Sequence, residues 1–236
     1  MHAIFEDMDF TWPEDKRIAL IQKKLHLYGY DENWAGVIGR MVGGILNANL
    51  PGLDDDFCLS RLTTKERINE MEFYLLQQKC DSRSFSDLFL KAGKPCLQRT
   101  GEQLGRLSFG KISGMMKGFV DLVFHWRGKY YIIDWKSNYL GDTSSDYREE
   151  NLTDVMVREN YILQYFIYTV AVDQYLRTRV PGYSYQEHFG GVYYLFLRGI
   201  TAKGDEGIFH DLPDQDILKR FGRFFGSPPA ESSGLN

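Results

Sequence analysis

GFVDLVFHWRGKYYIIDWK, residues 118–136, decides the fold. Two runs rich in β-branched and aromatic residues flank HWRG, a short glycine-containing connection that reads as the turn of a β-hairpin. Each run is broken where an apolar side chain is expected: Asp121 interrupts GFVDLVF, and Asp134 and Lys136 interrupt KYYIIDWK. Side chains alternate across a strand, so Asp134 and Lys136 share one face while Ile133 and Trp135 take the other. Pairing of the strands lets the two aspartates converge. Two adjacent carboxylates repel, and a hard divalent cation between them makes the arrangement favourable.

Phosphodiester hydrolysis needs such a cation, which polarises a phosphoryl oxygen, activates water and stabilises the leaving oxygen. A neighbouring lysine orients or helps deprotonate the attacking water, or neutralises transition-state charge. A bare Asp-x-Lys is common by chance, and an ordinary ion pair on an exposed edge strand satisfies the same pattern. Its place inside a β-run and the presence of Asp121 give the chemical reading its weight.

On the N-terminal side of the hairpin, Ile4, Phe5 and Met8 have helical spacing and predict a short helix carrying His2. Trp12-Pro13-Glu14-Asp15 opens a second helix running to about Leu27. A third passes through Val37, Ile38, Met41, Val42, Ile45 and Leu46 and stops by Pro51-Gly52. After Asp54-Asp55-Asp56 the period changes, and FCLSRL and MEFYLL predict short strands. Residues 77–106 are polar, with a helix near SFSDLFLKAG. Beyond the hairpin, residues 138–151 read as polar loop and Leu152 to about Arg179 as one long helix ending at Pro181-Gly182. FGGVYYLFLRG predicts a buried strand, DQDILKRFGRFF an amphipathic helix and SPPAESSGLN a frayed tail. The expected fold is α/β, a mixed central sheet flanked by helices with a helical N-terminal segment. The expected organisation is a helical part over 1–52, a core over 53–225 and a flexible tail over 226–236.

Of the 236 residues, 43% are hydrophobic and 25% charged, the profile of a soluble globular domain. No run approaches the ~18 apolar residues of a membrane span, and the acidic, mixed start is no signal peptide. Cys58, Cys80 and Cys96 are odd in number and lack C-x-x-C spacing, which excludes a disulfide scaffold and a four-cysteine metal site and predicts a reducing, cytoplasmic setting. The net charge of −4 argues against a module that binds DNA by phosphate neutralisation alone. It argues less against a metal nuclease, whose carboxylates bound cations offset.

GMMKGFVDLVFHWRGKYYIIDWKSNYLG, residues 114–141, resembles the core motif of the RecB nuclease domain, a member of the PD-(D/E)XK nuclease superfamily. HAIFEDMDF resembles that family's first nuclease helix, NEMEFYL a segment supplying an acidic ligand, LQYFIYTVAVDQYLR its Q-x-x-x-Y helix and HFGGVYYLFLRG the strand after it. The likeness runs from His2 to about Ile200. It implies a restriction-endonuclease-like core in which Asp121 and Asp134 bind metal with His2, Glu70 and the backbone carbonyl of Trp135, with Lys136 as catalytic lysine. The implied metal is Mg2+, with Ca2+ able to occupy the site without supporting cleavage. Glu72, two residues from Glu70 on a predicted strand, shares its face and stays open as the alternative ligand.

Gln164 and Tyr168, four apart on one helix face, are implied to contact DNA, although such a pair is more often a packing contact. A histidine beside a terminus is commonly only solvated, so His2 rests on the resemblance. His26, His125, His188 and His210 have no ligand-like spacing. Lys219, Arg220 and Arg223 read as a solvated basic face, and Tyr130, Tyr131, Tyr193 and Tyr194 as core or sheet-face residues.

Full-length members of the RecB family begin with helicase domains, and no phosphate-binding G-x-x-x-x-G-K-[ST] loop occurs here. The expectation is a fragment or truncated product whose partners, by resemblance, are DNA strands or ends, RecC- and RecD-type subunits and the RecA recombinase. Two functions compete: a Mg2+-dependent deoxyribonuclease module of recombinational double-strand-break repair, and a catalytically weak interaction module that recruits RecA or helicase-complex subunits. An RNA-directed hydrolase on the same fold is the third.

Overall fold

A computed structural model of the chain describes residues 1–107, 112–201 and 204–226. The N-terminal segment is helical, as its apolar spacing predicts: α1 (His2–Asp7), α2 (Glu14–Leu27) and, after a 3-10 turn at Glu32–Trp34, α3 (Ala35–Leu46). Then follow β1 (Arg67–Cys80), α4 (Ser82–Leu90), α5 (Pro95–Arg106) and the hairpin strands β2 (Ile112–Trp126) and β3 (Lys129–Lys136). The C-terminal part comprises α6 (Glu149–Arg158), α7 (Tyr161–Arg179), α8 (Tyr185–His188), β4 (Phe189–Phe196), β5 (Ile208–Asp211), α9 (Gln215–Gly222) and β6 (Phe225–Gly226). The strands form one six-stranded mixed sheet in the order β5-β4-β3-β2-β1-β6. Among the described residues no helix is long and apolar enough to cross a membrane.

The hairpin is antiparallel, with Trp126 opposite Lys129 and Leu122 opposite Ile133. Arg127 and Gly128 alone make the turn, with φ of 46° and 82°. Of the two-residue hairpin turns whose twist matches the strands, type I′ is the one with positive φ at both positions. Glycine adopts it freely. Arg127 is held there by ion pairs to Asp54 at 2.8 Å and Asp56 at 3.1 Å, which gives the Asp54-Asp55-Asp56 run a local role.

The described residues form two compact units: 1–71, 120–154, 190–201 and 204–212, and 72–107, 112–119, 155–189 and 213–226. The core of the first joins Ile4 and Phe5 of α1, and Met8 that caps it, to Ile133 and Trp135 of β3, and to Tyr193 and Leu195 of β4. Phe5 stacks on Trp135 at 4.3 Å between centroids. The second is built on phenylalanines, with Phe89 at 5.0 Å from Phe166 and Phe221 at 5.4 Å from Phe166.

Three expectations need correction. FCLSRL is not a strand: Phe57, Leu59 and Leu62 are all buried, a spacing alternation cannot produce, and the chain turns through a 3-10 segment at Leu59–Arg61. Arg61 Nη1 secures that turn by donating to the Asp56 carbonyl at 2.6 Å. The helix from Leu152 to Arg179 is two helices, because Asn160 takes a left-handed conformation (φ 58°) that asparagine tolerates better than most residues. Gln103 Nε2 braces the break, donating to the Arg158 carbonyl at 3.0 Å and to Asn160 Oδ1 at 2.9 Å. Residues 138–151 are not all loop: a capping box of Thr143 and Asp146 opens a 3-10 turn at Ser144–Tyr147, and α6 starts at Glu149. Helix α5 escapes the sequence reading because its buried face, Leu97, Thr100, Gly101 and Leu104, has helical spacing but only two large apolar residues, and β5 and β6 are too short to show alternation. The predicted tail lies outside the described residues except for Gly226.

Candidate metal centre

The hairpin brings Asp121 and Asp134 onto paired strands, and both carboxylates are mostly buried in the first unit. Asp134 is 2% exposed. Its Oδ2 lies 2.6 Å from Lys136 Nζ, an ion pair on the face that alternation assigns to both residues. That oxygen receives no hydrogen bond of proper geometry. The Lys136 ammonium also sits 5.1 Å from the Tyr194 ring centroid, within cation–π range. The end of β3 is pinned where Leu197 N donates to the Lys136 carbonyl at 2.9 Å and Arg198 Nε to the Ser137 carbonyl at 3.1 Å.

Asp121 Oδ2 accepts from the Trp135 backbone N–H at 2.8 Å. His2 Nε2 lies 2.7 Å from the Trp135 carbonyl oxygen and 3.6 Å from Asp121 Oδ2. The carbonyl oxygen only accepts, so Nε2 is the donor of that hydrogen bond; in the other tautomer the ring nitrogen would present its lone pair beside these two oxygens instead. Among the described residues no group of three His, Cys, Asp or Glu side chains is gathered closely enough to hold an ion as it stands. The Lys136 ammonium supplies the positive charge at Asp134, and a main-chain oxygen completes the donor set.

The electrostatics match crowded carboxylates. Burial, then the charge of Asp134, push Asp121 up to about 7, against the hydrogen bond from Trp135. Burial also raises Asp134, which Lys136 opposes. Glu70 is raised by burial and by the charges of Glu6 and Asp134, and His2 lowers it. These interactions place Glu70 in the field of the same centre. A cation is the natural counter-charge for such a set.

Glu70 and Glu72 do not play the same part. The alternation of β1 that would set them side by side fails at Glu70, whose φ is +48°. Such a backbone costs a non-glycine residue about 1–3 kcal/mol and persists only where its surroundings impose it. Glu72 has no such positive φ and is exposed; Lys117 and Tyr74 bond its carboxylate and hold it below the usual range. Gln164 and Tyr168 lie on α7 in the second unit, where Gln164 Nε2 donates to the Tyr168 hydroxyl at 2.8 Å. Both are half-buried, and Tyr168 meets Phe73 edge-on at 5.7 Å. Lys219, Arg220 and Arg223 are exposed, as a solvated face requires.

Sequence reasoning missed Arg67 and Asn69. Asn69 Nδ2 donates to the carbonyls of Phe5 at 3.0 Å and Glu6 at 2.8 Å, and Arg67 Nη2 to that of Met8 at 2.7 Å. Two long polar side chains opening a strand were the available signal, but their partners are main-chain oxygens some sixty residues away.

The mixed sheet, flanking helices and helical N-terminal segment make this an α/β domain of restriction-endonuclease-like architecture, with a carboxylate-rich centre on its hairpin. No family model matches the chain. Individual proteins do. It is 36% identical to the RecBCD enzyme subunit RecB of Escherichia coli over 242 aligned positions, covering 99% of this chain. It is 40% identical to that of Haemophilus influenzae over 220, covering 92%. The chain belongs to the RecB family, as a domain spanning 19% and 17% of the length of those two relatives.

Proposed function

We propose that this chain is a metal-dependent deoxyribonuclease of the PD-(D/E)XK class, the strand-cutting module of recombinational double-strand-break repair. The observation that carries the reading is His2 Nε2 at 2.7 Å from the Trp135 carbonyl and 3.6 Å from Asp121 Oδ2, with the buried Lys136–Asp134 ion pair at 2.6 Å on the paired strand. A core that retains two aspartates raised by burial gains nothing in stability from them. Perturbed carboxylates of this kind cluster at functional sites.

In this proposal Asp121, Asp134, Glu70, His2 and the Trp135 carbonyl hold Mg2+, and Ca2+ occupies the same oxygen-rich set without supporting cleavage. When bound, the cation supplies Lewis-acid polarisation of a phosphoryl oxygen and lowers the pKa of adjacent water. Asp121 presents its carboxylate in a fixed direction, because Oδ2 is tied to the Trp135 N–H. Lys136 is held by Asp134, so its ammonium is positioned to orient the attacking water or offset phosphoryl charge. Gln164 and Tyr168 are proposed to touch the DNA, a single strand or an end. RecC- and RecD-type partner subunits come with the relatives' name, which describes them as subunits of the RecBCD enzyme.

The test is cleavage of end-labelled single- and double-stranded DNA, with Mg2+, Ca2+ or EDTA, by wild type and Asp134→Ala. Cleavage with Mg2+ alone, absent in the variant, is the expected result. An unchanged rate in the folded variant overturns the assignment.

A second reading, a module that recruits RecA or complex subunits, draws on the connection between α2 and α3. Leu27, Tyr30 and Trp34 are 67%, 66% and 56% exposed there, with Tyr28 and Val37 beside them in sequence. Where exposed apolar side chains form a contiguous patch they mark protein-binding surfaces. Unimpaired capture of RecA by Asp134→Ala, together with no cleavage by folded wild type, would favour it.

A further inference from the structure

Helix α1 is six residues long, far below the ~12–15 residues at which an isolated helix becomes marginally stable. It presents His2 only because something outside it holds it, and His2 is 48% exposed at the side chain. One support is apolar: Ile4 and Phe5 are buried, with Phe5 stacked on Trp135. The other is polar and comes from the start of β1.

The carbonyls at a helix C-terminus lack intrahelical partners and need donors from elsewhere. Here Asn69 donates to Phe5 and Glu6, and Arg67 donates to Met8, the C-cap. Arg67 Nη1 bonds Asn69 Oδ1 at 2.5 Å, which fixes the amide with its NH2 toward the helix. Arg67 is itself 9% exposed and lies 3.8 Å from the centroid of Phe10. The residue after Asn69 is Glu70, with its left-handed backbone.

We propose that Arg67 and Asn69 are positioning residues: a clamp that fastens the His2 helix to the strand carrying Glu70, so that two ligands of the proposed metal centre are set by one hydrogen-bonded pair. The clamp touches no ligand atom and acts through main-chain oxygens. The inference rests on the metal-centre reading above and deepens it.

Asn69→Asp tests it. The substitution keeps size and the acceptor for Arg67 but replaces the two donated bonds by a carboxylate facing carbonyl oxygens. Mn2+ affinity is measured without DNA, and the bound Mn2+ is examined by pulsed EPR for coupling to a histidine nitrogen. Loss of outer-shell support commonly costs about 10–100-fold in metal affinity. Asn69→Asp is expected to lose affinity in that range and to lose nitrogen coupling, as His2→Ala does. Asn69→Gln, which restores the amide, is expected to recover part of both. If Asn69→Asp does not fold, Arg67→Lys serves, since it keeps a cation but frees the Asn69 amide; an intermediate loss is expected. Wild-type affinity with intact nitrogen coupling in the folded variants overturns the clamp and leaves the metal centre standing. Failure of the wild-type chain to bind Mn2+ overturns the metal centre and the clamp with it.

Discussion

The two units of this chain treat buried polar groups in opposite ways. In the second, Ser82, Ser86, Thr100 and Thr169 are buried, and each hydroxyl donates to a main-chain carbonyl: Leu107 at 2.8 Å, Gly101 at 2.7 Å, Cys96 at 2.9 Å and Tyr165 at 2.7 Å. Neutral groups satisfied close at hand cost the fold little. The first unit buries charge instead. Asp134 and Arg67 are inside, each with a buried atom lacking a hydrogen bond, and Asp121 is buried in the field of a second carboxylate. One unit is arranged for cohesion; the other tolerates repulsion where chemistry would need charge.

That contrast can be broken from either side. The largest expected effect is catalytic: Asp134→Asn should lower the Mg2+-dependent cleavage rate by on the order of 10⁴-fold, about 5.5 kcal/mol of barrier. Single-turnover kinetics on end-labelled DNA would measure it, and a rate within tenfold of wild type would remove the site from the first unit. In the second unit the expected effect is on stability alone. Phe221→Ala opens a hole among Phe85, Phe89 and Phe166 and should cost about 4 kcal/mol in urea unfolding. A loss under 1 kcal/mol would mean that this aromatic core is not cohesive.

Next in size comes pH. In EDTA, Asp121 titrates near 7 in the folded chain and near 4 when unfolded, so the folded state binds the proton more tightly. Its contribution is fully present below about pH 4 and is lost as pH rises through 7, by up to about 4 kcal/mol at about 1.4 kcal/mol per unit. Asp121→Asn should flatten that slope, and a slope unchanged in the variant would assign the titration to another group. The smallest effect concerns Glu70. Replacement by glycine relieves the left-handed backbone and should stabilise the metal-free chain by about 1 kcal/mol while weakening Mn2+ binding. Destabilisation in thermal melts would show that the backbone there is not strained.

What the sequence disclosed follows the same division. Asp121, Asp134 and Lys136 stand out in the sequence because they interrupt continuous apolar runs, and a two-residue turn pairs the strands those runs form. The first helices were legible from their spacing. His2 was visible only through resemblance, since a histidine beside a terminus carries no periodic signal. Glu70 and Glu72 could not be separated, because the positive φ at Glu70 breaks the rule that makes them equivalent. Asn160, one left-handed residue inside an otherwise helical pattern, was hidden for a similar reason. Arg67 and Asn69 stayed unread because hydrogen bonds to distant main-chain oxygens leave no mark in spacing.

The tight turn at Arg127-Gly128 also sets an order of assembly. Asp121 and Asp134 meet across a hairpin, an element that closes in about 1–10 μs. His2 reaches the Trp135 carbonyl across 133 residues, a contact of the kind that forms late. The mutual repulsion of the aspartates, eased by Lys136 on the same strand, therefore acts during folding before the N-terminal helix arrives, at a stage when protons or dissolved cations can relieve it further. Refolding in stopped-flow should be faster below pH 6 than above pH 8 when EDTA is present, and Asp121→Asn should erase the difference. A centre that matures from its hairpin outward would then be one whose folding speed, as well as its chemistry, responds to the ions around it.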